Sequence, residues 1–153
     1  MKGDACVIVD VGEKDVARAG EIHARSWQES HRAFCAPEFV AMHTPERQAR
    51  YLREKMEKGS RVYMLLADGV PMGVVSVAGS LIEDLYVLPE GQNRGYGTAL
   101  LRHAIAQCAG TPTLWILENN HRAARLYRRM GFRETGRSNA ITESLNEIEL
   151  ALP

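Results

Sequence analysis

Hydrophobic residues follow two patterns along the chain, short apolar runs and repeats of three to four residues. Residues 5–11 ("ACVIVDV") form an apolar run rich in β-branched side chains, which predicts a strand. Over residues 13–34, the apolar residues Val16, Ala19 and Ile22 recur at intervals of three, which predicts an amphipathic helix. The chain is therefore expected to begin with a strand followed by a helix.

Proline and glycine residues mark the limits of a second predicted helix over residues 45–59. Pro37 is expected to break the preceding helical stretch. Thr44 followed by Pro45 is typical of an N-cap with proline at the first helical position, and Gly59 is typical of a helix C-terminus. Two helices in succession are thus expected before the remaining strands.

From residue 61 onward the apolar runs again predict strands, now interrupted by two helical repeats. The predicted elements are strands at 61–68, 71–80 and 81–88, a helix at 97–110, a strand at 113–118, a helix at 120–131, and strands at 132–137 and 143–152. The order β-α-α-β-β-β-α-β-α-β-β predicts an α/β (α+β) domain in which helices cover a mixed sheet. At 153 residues, the chain (1–153) is expected to be a single domain.

Charge and composition argue against several classes of function. The 19 lysine and arginine residues balance 19 acidic residues, so no net charge directs the protein toward nucleic acid or an anionic membrane. No apolar run reaches the ~20 residues of a membrane-spanning helix, and the first residues lack a signal-peptide pattern. The three cysteines form no metal-binding spacing. We expect a cytoplasmic protein with reduced thiols, no metal, and no membrane or nucleic-acid partner.

A glycine-rich loop, residues 91–97 ("GQNRGYG"), lies between a predicted strand and a predicted helix. A helix N-terminus presents unpaired N–H groups and about +0.5 elementary charge, so this position suits an anionic ligand. Gly95 and Gly97 would let the backbone approach such a ligand, and Arg94 adds a cation. By itself the loop fits either an anion-binding site or a turn that only starts a helix.

Two common nucleotide-binding loops do not fit this segment. A Walker loop ends in Gly-Lys-Ser/Thr, whereas here Gly97, Thr98 and Ala99 follow one another without a lysine. The dinucleotide pattern G-x-G-x-x-G is incomplete, because Leu100 occupies the place of the third glycine. If the loop holds a phosphate, it belongs to another class of protein.

The segment "LYVLPEGQNRGYGTALL" (85–101) resembles the pyrophosphate loop of the GNAT superfamily of acyl-CoA-dependent N-acyltransferases. The signature of that family, Gln/Arg-x-x-Gly-x-Gly/Ala, is met by Gln92, Gly95 and Gly97. The strand that precedes the loop also matches. This resemblance favours an anion-binding loop over a simple turn.

A second segment, "LWILENNHRAARLYRRMGFRETG" (114–136), resembles a later motif of the same superfamily. That motif has a strand, an asparagine, a helix that carries a tyrosine, and then Gly-Phe. Asn120, Tyr127, Gly131 and Phe132 occupy those places. Two motifs in the family's order, together with the preceding elements, make the match specific.

The resemblance implies a mostly antiparallel sheet of about seven strands, flanked by about four helices. The parallel strands 81–88 and 113–118 would splay apart, and acetyl-CoA, the implied co-substrate, would lie between them. The backbone of Leu85, Tyr86 and Val87 would pair with the pantetheine arm and polarise the thioester carbonyl, and Asn120 would bond the arm. The loop residues implied to hold the pyrophosphate are Gln92, Asn93, Arg94, Gly95, Tyr96, Gly97 and Thr98.

The resemblance also implies two catalytic side chains. Tyr127 would protonate the leaving thiolate, because a phenol with a pKa near ~10 keeps its proton at neutral pH. Many family members carry an acid at the place of Leu81, so this chain departs from that pattern. The segment "LIEDLYV" instead resembles the diamine acetyltransferase branch, in which an acid of an equivalent Glu-Asp pair serves as the base. This resemblance favours Glu83 as the base. Strand alternation would put Glu83 on one face and Asp84 on the other.

The acceptor is less well defined by the sequence. The resemblance implies a primary amine, on a small molecule or a protein N-terminus, that attacks the thioester directly in a ternary complex. Trp27, His31 and Phe34 could line its pocket, although residues of this kind are more often core or surface positions. The resemblance suggests a homodimer. The alternative function is a non-catalytic module that binds acyl-CoA and regulates a partner.

Overall fold

The computed structural model describes residues 5–33 and 35–153, and a seven-stranded sheet forms the centre of this part of the chain. Along the sheet the strands lie in the order β1-β2-β3-β4-β5-β7-β6. The strands are β1 (Cys6–Asp10), β2 (Arg61–Ala67), β3 (Val70–Ala78), β4 (Leu81–Val87), β5 (Thr113–Leu117), β6 (Arg133–Thr142) and β7 (Leu145–Ala151). Within the described residues, β4 and β5 are the only parallel neighbours. The mixed, mostly antiparallel sheet expected from the sequence is confirmed.

Five α-helices flank the sheet in the described part of the chain. They are α1 (Val16–His31), α2 (Pro37–Ala41), α3 (Pro45–Glu57), α4 (Tyr96–Gln107) and α5 (His121–Arg129). A single 3₁₀ turn over Pro89–Gly91 joins β4 to the glycine loop. Four of the helices were predicted, with the first one shorter than expected.

The short helix α2 was not predicted, because Pro37 was interpreted only as a breaker. Pro37 is instead the first residue of α2, and Ala36 before it is extended with ψ of 140°. Proline disfavours the helical conformation in the residue before it but suits the first position of a helix, where no N–H is required. The same residue therefore separates one helix from the next and starts the next one.

Helices cover the sheet on both faces and produce two apolar cores. On one face, α1 and α3 pack over the first four strands, and on the other face α4 and α5 bury residues such as Leu100, Leu101 and Tyr127. Gly20 allows α1 to approach α3, because a Cβ at this position would lie 2.6 Å from the backbone nitrogen of Ala49. This packing fixes α1 against the sheet next to β4. No helix in the described residues is both long and apolar enough to cross a membrane.

The parallel strands β4 and β5 separate almost as soon as they meet. In the part of the chain that the structure describes, only Leu81 and Thr113, at the beginnings of the two strands, are register partners. Beyond this pair the strands diverge, whereas β5 stays paired with β7 along its whole length. The separation opens a V-shaped gap in the middle of the sheet, and the predicted splay of these strands is confirmed.

Candidate active site

A cleft of about 620 Å³ occupies the gap between β4 and β5. It extends from the strands to the glycine loop and the first turns of α4 and α5. The predicted site residues that line it are Glu83, Leu85, Tyr86, Val87, Gln92, Asn93, Gly95, Tyr96, Gly97, Thr98, Asn120, Tyr127 and His31. Arg94 is exposed on the same loop but does not line the cleft. Thus most of the residues singled out by sequence lie together around one space.

The glycine loop presents free backbone donors at the start of α4. Gly95 is the N-cap residue with φ of 85°, a left-handed conformation that glycine adopts without strain. Among the described residues, the N–H groups of Gly95, Gly97 and Thr98 donate to no acceptor. A Cβ at Gly95 would meet no atom within 4 Å, so the space beside the loop is open. This arrangement fits a phosphate group.

The strand β4 contains a bulge at Asp84, which has φ of 56°. Two β4 residues, Asp84 and Leu85, stand opposite the single β3 residue Val75, so the register shifts at this point. The bulge corrects the expectation that Glu83 and Asp84 point to opposite faces. Both carboxylates reach Lys55 of α3, because the left-handed residue breaks the alternation of side chains along the strand.

The Asp84 carboxylate is buried and hydrogen-bonded on both oxygens. Oδ2 accepts from Lys55 Nζ at 2.7 Å and from Ser76 Oγ at 2.8 Å. Oδ1 accepts from His23 Nε2 and from Tyr51 Oη, each at 3.1 Å. These four donors come from α1, α3 and β3, so one carboxylate joins three elements around the bulge.

The residues around Asp84 are arranged to stabilise its charge. Gln48 Nε2 donates to His23 Nδ1 at 2.9 Å, so the imidazole hydrogen lies on Nε2 and points to Asp84. Burial would raise the pKa of Asp84, but the hydrogen bond from His23 and the Lys55 cation outweigh it and hold the pKa well below its usual range. Burial also raises the pKa of Tyr51 to about 12. Asp84 is therefore an ionised anchor at neutral pH.

Glu83 differs from Asp84 in its access to the cleft. Its Oε1 accepts from Lys55 Nζ at 2.6 Å, and its side chain keeps 39% of its exposure, compared with 10% for Asp84. The Lys55 ammonium remains charged: burial lowers its pKa, but the two neighbouring carboxylates raise it above the usual value. Of the two adjacent acids, Glu83 is the one with a carboxylate oxygen, Oε2, that accepts no hydrogen bond from the described residues and can meet a ligand.

Tyr127 lies on the inner side of α5, buried against Phe132 with ring centroids 5.9 Å apart. Burial raises the pKa of its phenol above the ordinary value, so the hydroxyl stays protonated at neutral pH. The side chain lines the cleft, and within residues 5–33 and 35–153 its hydroxyl has no hydrogen-bond partner. A buried, protonated donor directed at a cleft can deliver a proton to a bound group.

Asn120 starts α5 and has one half of its amide engaged. Its Oδ1 accepts from the backbone N–H of Ala123 at 3.1 Å and thereby caps the helix. Its Nδ2 is left to donate, and the residue is exposed at the edge of the cleft. The asparagine thus has a structural role in addition to the one predicted from the resemblance.

The three residues expected around an acceptor are only partly brought to the cleft. Trp27 is stacked between His31 and His43, with ring centroids 4.0 Å and 3.5 Å away. His31 lines the cleft, whereas Trp27 lines a second cavity of about 320 Å³ between α1, α3 and β4. Phe34 lies outside the described residues. The two cavities share Asp84 and Tyr86, so they meet at the bulge.

Three residues of the site were missed by the sequence analysis. His23 lies on the apolar face of the first helix, and a histidine on such a face can indicate a buried polar partner. Tyr51 and Lys55, one helical turn apart on α3, resembled an ordinary solvated helix surface. Their role depends on the packing of α3 beside the bulge, which no local pattern encodes.

Comparison with known proteins agrees with this geometry. A family model described as "Acetyltransferase (GNAT) domain" matches residues 58–134, about half of the chain, and this range contains the bulge, the glycine loop and Tyr127. The chain belongs to the GNAT acetyltransferase family. The matched range contains β4, β5 and the loop between β4 and α4, whereas α1, α2 and α3 lie before it.

A curated protein is similar to part of the chain at moderate identity. It is 34% identical over 68 residues to the peptidyl-lysine N-acetyltransferase YjaB of Salmonella typhimurium, a match that covers 44% of this chain and 46% of YjaB. The chain thus aligns with about half the length of this curated relative. No group of three or more His, Cys, Asp or Glu side chains that could hold a metal ion is present in the described parts of the chain.

Solved structures share the fold over nearly the whole chain. The PaiA N-acetyltransferase of Thermoplasma acidophilum, solved in complex with coenzyme A, superposes with a TM-score of 0.72 at 16% identity, covering 95% of this chain and 98% of its own. The ribosomal-protein-S18-alanine N-acetyltransferase of Escherichia coli gives a TM-score of 0.73 at 22% identity, covering 97% and 94%. At these identities the likeness establishes the GNAT fold.

Proposed function

We propose that the protein is an N-acetyltransferase that moves an acetyl group from acetyl-CoA to a primary amine by direct attack in a ternary complex. One observation carries the proposal. The free donors of the glycine loop, the candidate acid Tyr127 and the candidate base Glu83 all line the same cleft. A cleft that combines an anion-binding end with a proton donor and a carboxylate suits acyl transfer from a phosphate-bearing donor.

Main-chain groups would hold the donor. The N–H groups of Gly95, Gly97 and Thr98 would bind the pyrophosphate. In residues 5–33 and 35–153, β4 has no register partner on its β5 side beyond Leu81, so the backbone of residues 85–87 is available to pair with the pantetheine arm as an added strand. Three cations line the cleft along α5 and would bind the remaining phosphate: Arg122, Arg125 and Arg129.

The acceptor must lose a proton before it can attack. A primary amine is mostly protonated at neutral pH, and the Glu83 carboxylate would accept its proton, directly or through water. The neutral nitrogen then attacks the thioester carbonyl, and a backbone N–H of β4 stabilises the oxyanion. When the C–S bond breaks, Tyr127 would donate its phenolic proton to the thiolate, and the nitrogen would lose its second proton, which restores the Tyr127 phenol through water, giving free CoA and the amide.

Acidic groups favour a cationic acceptor. Glu83 and Glu147 both line the cleft, and in the described residues Glu147 forms no ion pair, with Asn139 Nδ2 at 3.4 Å as its polar contact. An unpaired carboxylate beside the site would attract an ammonium group. The YjaB relatives are named for peptidyl-lysine, which is an acceptor of this kind.

The proposal also covers the cellular location and the oligomeric state of the enzyme. We propose a cytoplasmic homodimer, based on the family resemblance and the three unpaired cysteines. The outer strand β6 is exposed along its length and has one edge without a neighbouring strand in the described residues, which is compatible with pairing between copies. Measurement of the mass in solution tests the dimer.

The experiment is to incubate the protein with acetyl-CoA and a panel of primary amines, including a lysine-containing peptide, a diamine and an α-amino peptide, and to follow free thiol. Acetylated product should be confirmed by mass spectrometry. Thiol release that requires an amine supports the proposal. Tight binding of acetyl-CoA with no amine-dependent thiol release would favour the alternative, a module that binds acyl-CoA and regulates a partner.

A further inference from the structure

We infer that Asp84 is a positioning residue, whose anchored carboxylate holds the bulge of β4 in the conformation that presents the Leu85 backbone to the thioester carbonyl. The inference rests on the proposed function, because it assigns a task to the donor site. Asp84 would not touch the reacting atoms. It would act through the shape of the strand on which the oxyanion donor lies.

The first argument is the number of contacts that fix this one side chain. Its carboxylate binds Lys55, Ser76, His23 and Tyr51, all at 3.1 Å or less, and 90% of the side chain is buried. Such a network restrains both the side chain and its backbone. A carboxylate that served only to neutralise Lys55 would not need this arrangement, since Glu83 already binds the same ammonium at 2.6 Å.

The second argument is the backbone of the bulge. With φ of 56°, Asp84 adopts a left-handed conformation that Asp and Asn tolerate better than most residues. Because of the bulge, Leu85 has no register partner on β3, and β5 has already diverged from β4 at this level. A regular strand would place Leu85 back in the ladder with β3, so its exposure to the cleft depends on the bulge.

The third argument is the position of Asp84 between the two cavities. Asp84 and Tyr86 border both cavities, and Leu85 between them lines the main cleft beside Glu83. A shift of the bulge would therefore move the candidate base and the candidate oxyanion donor together. Even a small displacement of these two groups would lower the rate of catalysis, because the reacting groups require close alignment.

The test uses acetyl-CoA labelled with ¹³C at the thioester carbonyl, and this spectroscopic readout needs no knowledge of the acceptor, whereas kcat is measured with an amine that the panel shows to be acetylated. The infrared frequency of the bound carbonyl reports its polarisation by the protein, a property that a merely stabilising residue would not control. The variants are Asp84→Gly, which permits the left-handed backbone but removes the anchor, and Asp84→Asn, which keeps part of the hydrogen bonding. Asp68→Gly is the matched control, since Asp68 has φ of 49° in the turn between β2 and β3.

In the unchanged protein and in Asp68→Gly, the carbonyl frequency should lie below its value in solution. Asp84→Gly should return it toward the solution value and lower kcat about 10²-fold, the effect of losing an oxyanion donor. The Kd for acetyl-CoA should change less than about threefold, because the loop amides remain. Asp84→Asn should restore part of the shift and part of the rate.

An unchanged carbonyl frequency and kcat in Asp84→Gly would overturn the inference and leave the proposed function intact. If that variant does not fold, Ser76→Ala and Tyr51→Phe, each removing one hydroxyl donor to the Asp84 carboxylate, take its place and should shift the frequency in the same direction. An unshifted frequency in both overturns the inference equally. If the unchanged protein does not bind acetyl-CoA, the proposed function itself is wrong, and the inference falls with it.

Discussion

Lys55 Nζ lies 2.7 Å from Asp84 Oδ2, an ion pair that ties the third helix to the bulge of the fourth strand. Only 14% of the lysine side chain and 10% of the aspartate side chain are exposed. Removal of one partner from a buried pair leaves the other charge without compensation, which is more costly than the pair itself is favourable. The pair is therefore a sensitive point for stability as well as for the geometry of the site.

The first prediction concerns Lys55→Met, which should lower the free energy of unfolding by about 3 kcal/mol, because Asp84 and Glu83 then face each other without a cation. Urea denaturation at pH 7 measures this change. Lys58→Met is the matched control, since Lys58 is exposed at the end of the same helix and should change stability by less than about 0.5 kcal/mol. Similar values for the two variants would contradict the role given to Lys55.

The second prediction concerns the dependence of the free energy of unfolding on pH. The pKa of Asp84 is lowered in the folded protein, whereas it is near ~3.9 in the unfolded chain. Its charge therefore stabilises the fold fully above pH ~4, and this contribution is lost as pH falls toward the lower folded pKa. Asp84→Asn should cost about 1–3 kcal/mol at pH 7 and clearly less at pH 3.

Urea denaturation of both proteins at the two pH values measures the difference. Asp68→Asn serves for comparison, because the Asp68 carboxylate binds an exposed backbone N–H of Ala5 at 3.2 Å. A cost of Asp84→Asn that is the same at pH 7 and pH 3 would show that the charge of Asp84 does not contribute.

The third prediction concerns Tyr127→Phe, which should lower kcat about 10²- to 10⁴-fold while acetyl-CoA still binds, because only the proton donor is lost. Burial raises the pKa of Tyr127, so its deprotonation should not limit the rate below pH ~10. Steady-state kinetics with calorimetric measurement of donor binding separates the two effects. Tyr63→Phe, at another buried tyrosine, should leave kcat within about twofold. An equal loss in both variants would falsify the acid role.

The fourth prediction concerns Glu83→Gln, which should lower kcat about 10²-fold or more at pH 7, because the amide cannot accept a proton from the amine. The rate should recover in part as pH rises and more of the free amine is present. Glu57→Gln, on the exposed end of α3, is the comparison. A pH–rate profile unchanged by Glu83→Gln would mean that water or another group takes the proton.

The fifth prediction concerns Gly95→Ala and its matched variant Gly59→Ala. Both glycines have positive φ, 85° and 102°, so alanine should cost each about 1 kcal/mol of stability. Only Gly95→Ala adds a methyl group to the face of the loop implied to hold phosphate, and it should weaken CoA binding about tenfold. Equal CoA affinity in the two variants would place the pyrophosphate elsewhere.

Local patterns predicted the parts of this molecule that local physics determines. The glycine loop before α4 and the N-cap at Thr44 follow from residues close together in sequence. Tyr127 and the loop could be assigned to one site because a family motif relates them. The first helix is shorter than predicted. The short helix at Pro37 was missed, because proline both stops and starts helices.

The bulge could not be predicted in the same way. Strand alternation gave Glu83 and Asp84 opposite faces, which holds only while every residue of β4 keeps an extended backbone. The left-handed Asp84 is stabilised by His23 and Lys55, residues 61 and 29 positions away in the chain. Such long-range stabilisation has no signature in a stretch of sequence and becomes visible only when the helices are packed.

If the proposed function holds, the gap between β4 and β5 would bind donor and acceptor through two different kinds of groups. The donor would be held largely by amides that every residue possesses, whereas the acceptor would meet side chains from α1, α3 and β7. Substitutions could then alter which amine is accepted without dismantling the binding of CoA. Engineers seeking a new acceptor should randomise His31, Trp27 and Glu147 and leave the loop at 91–98 untouched.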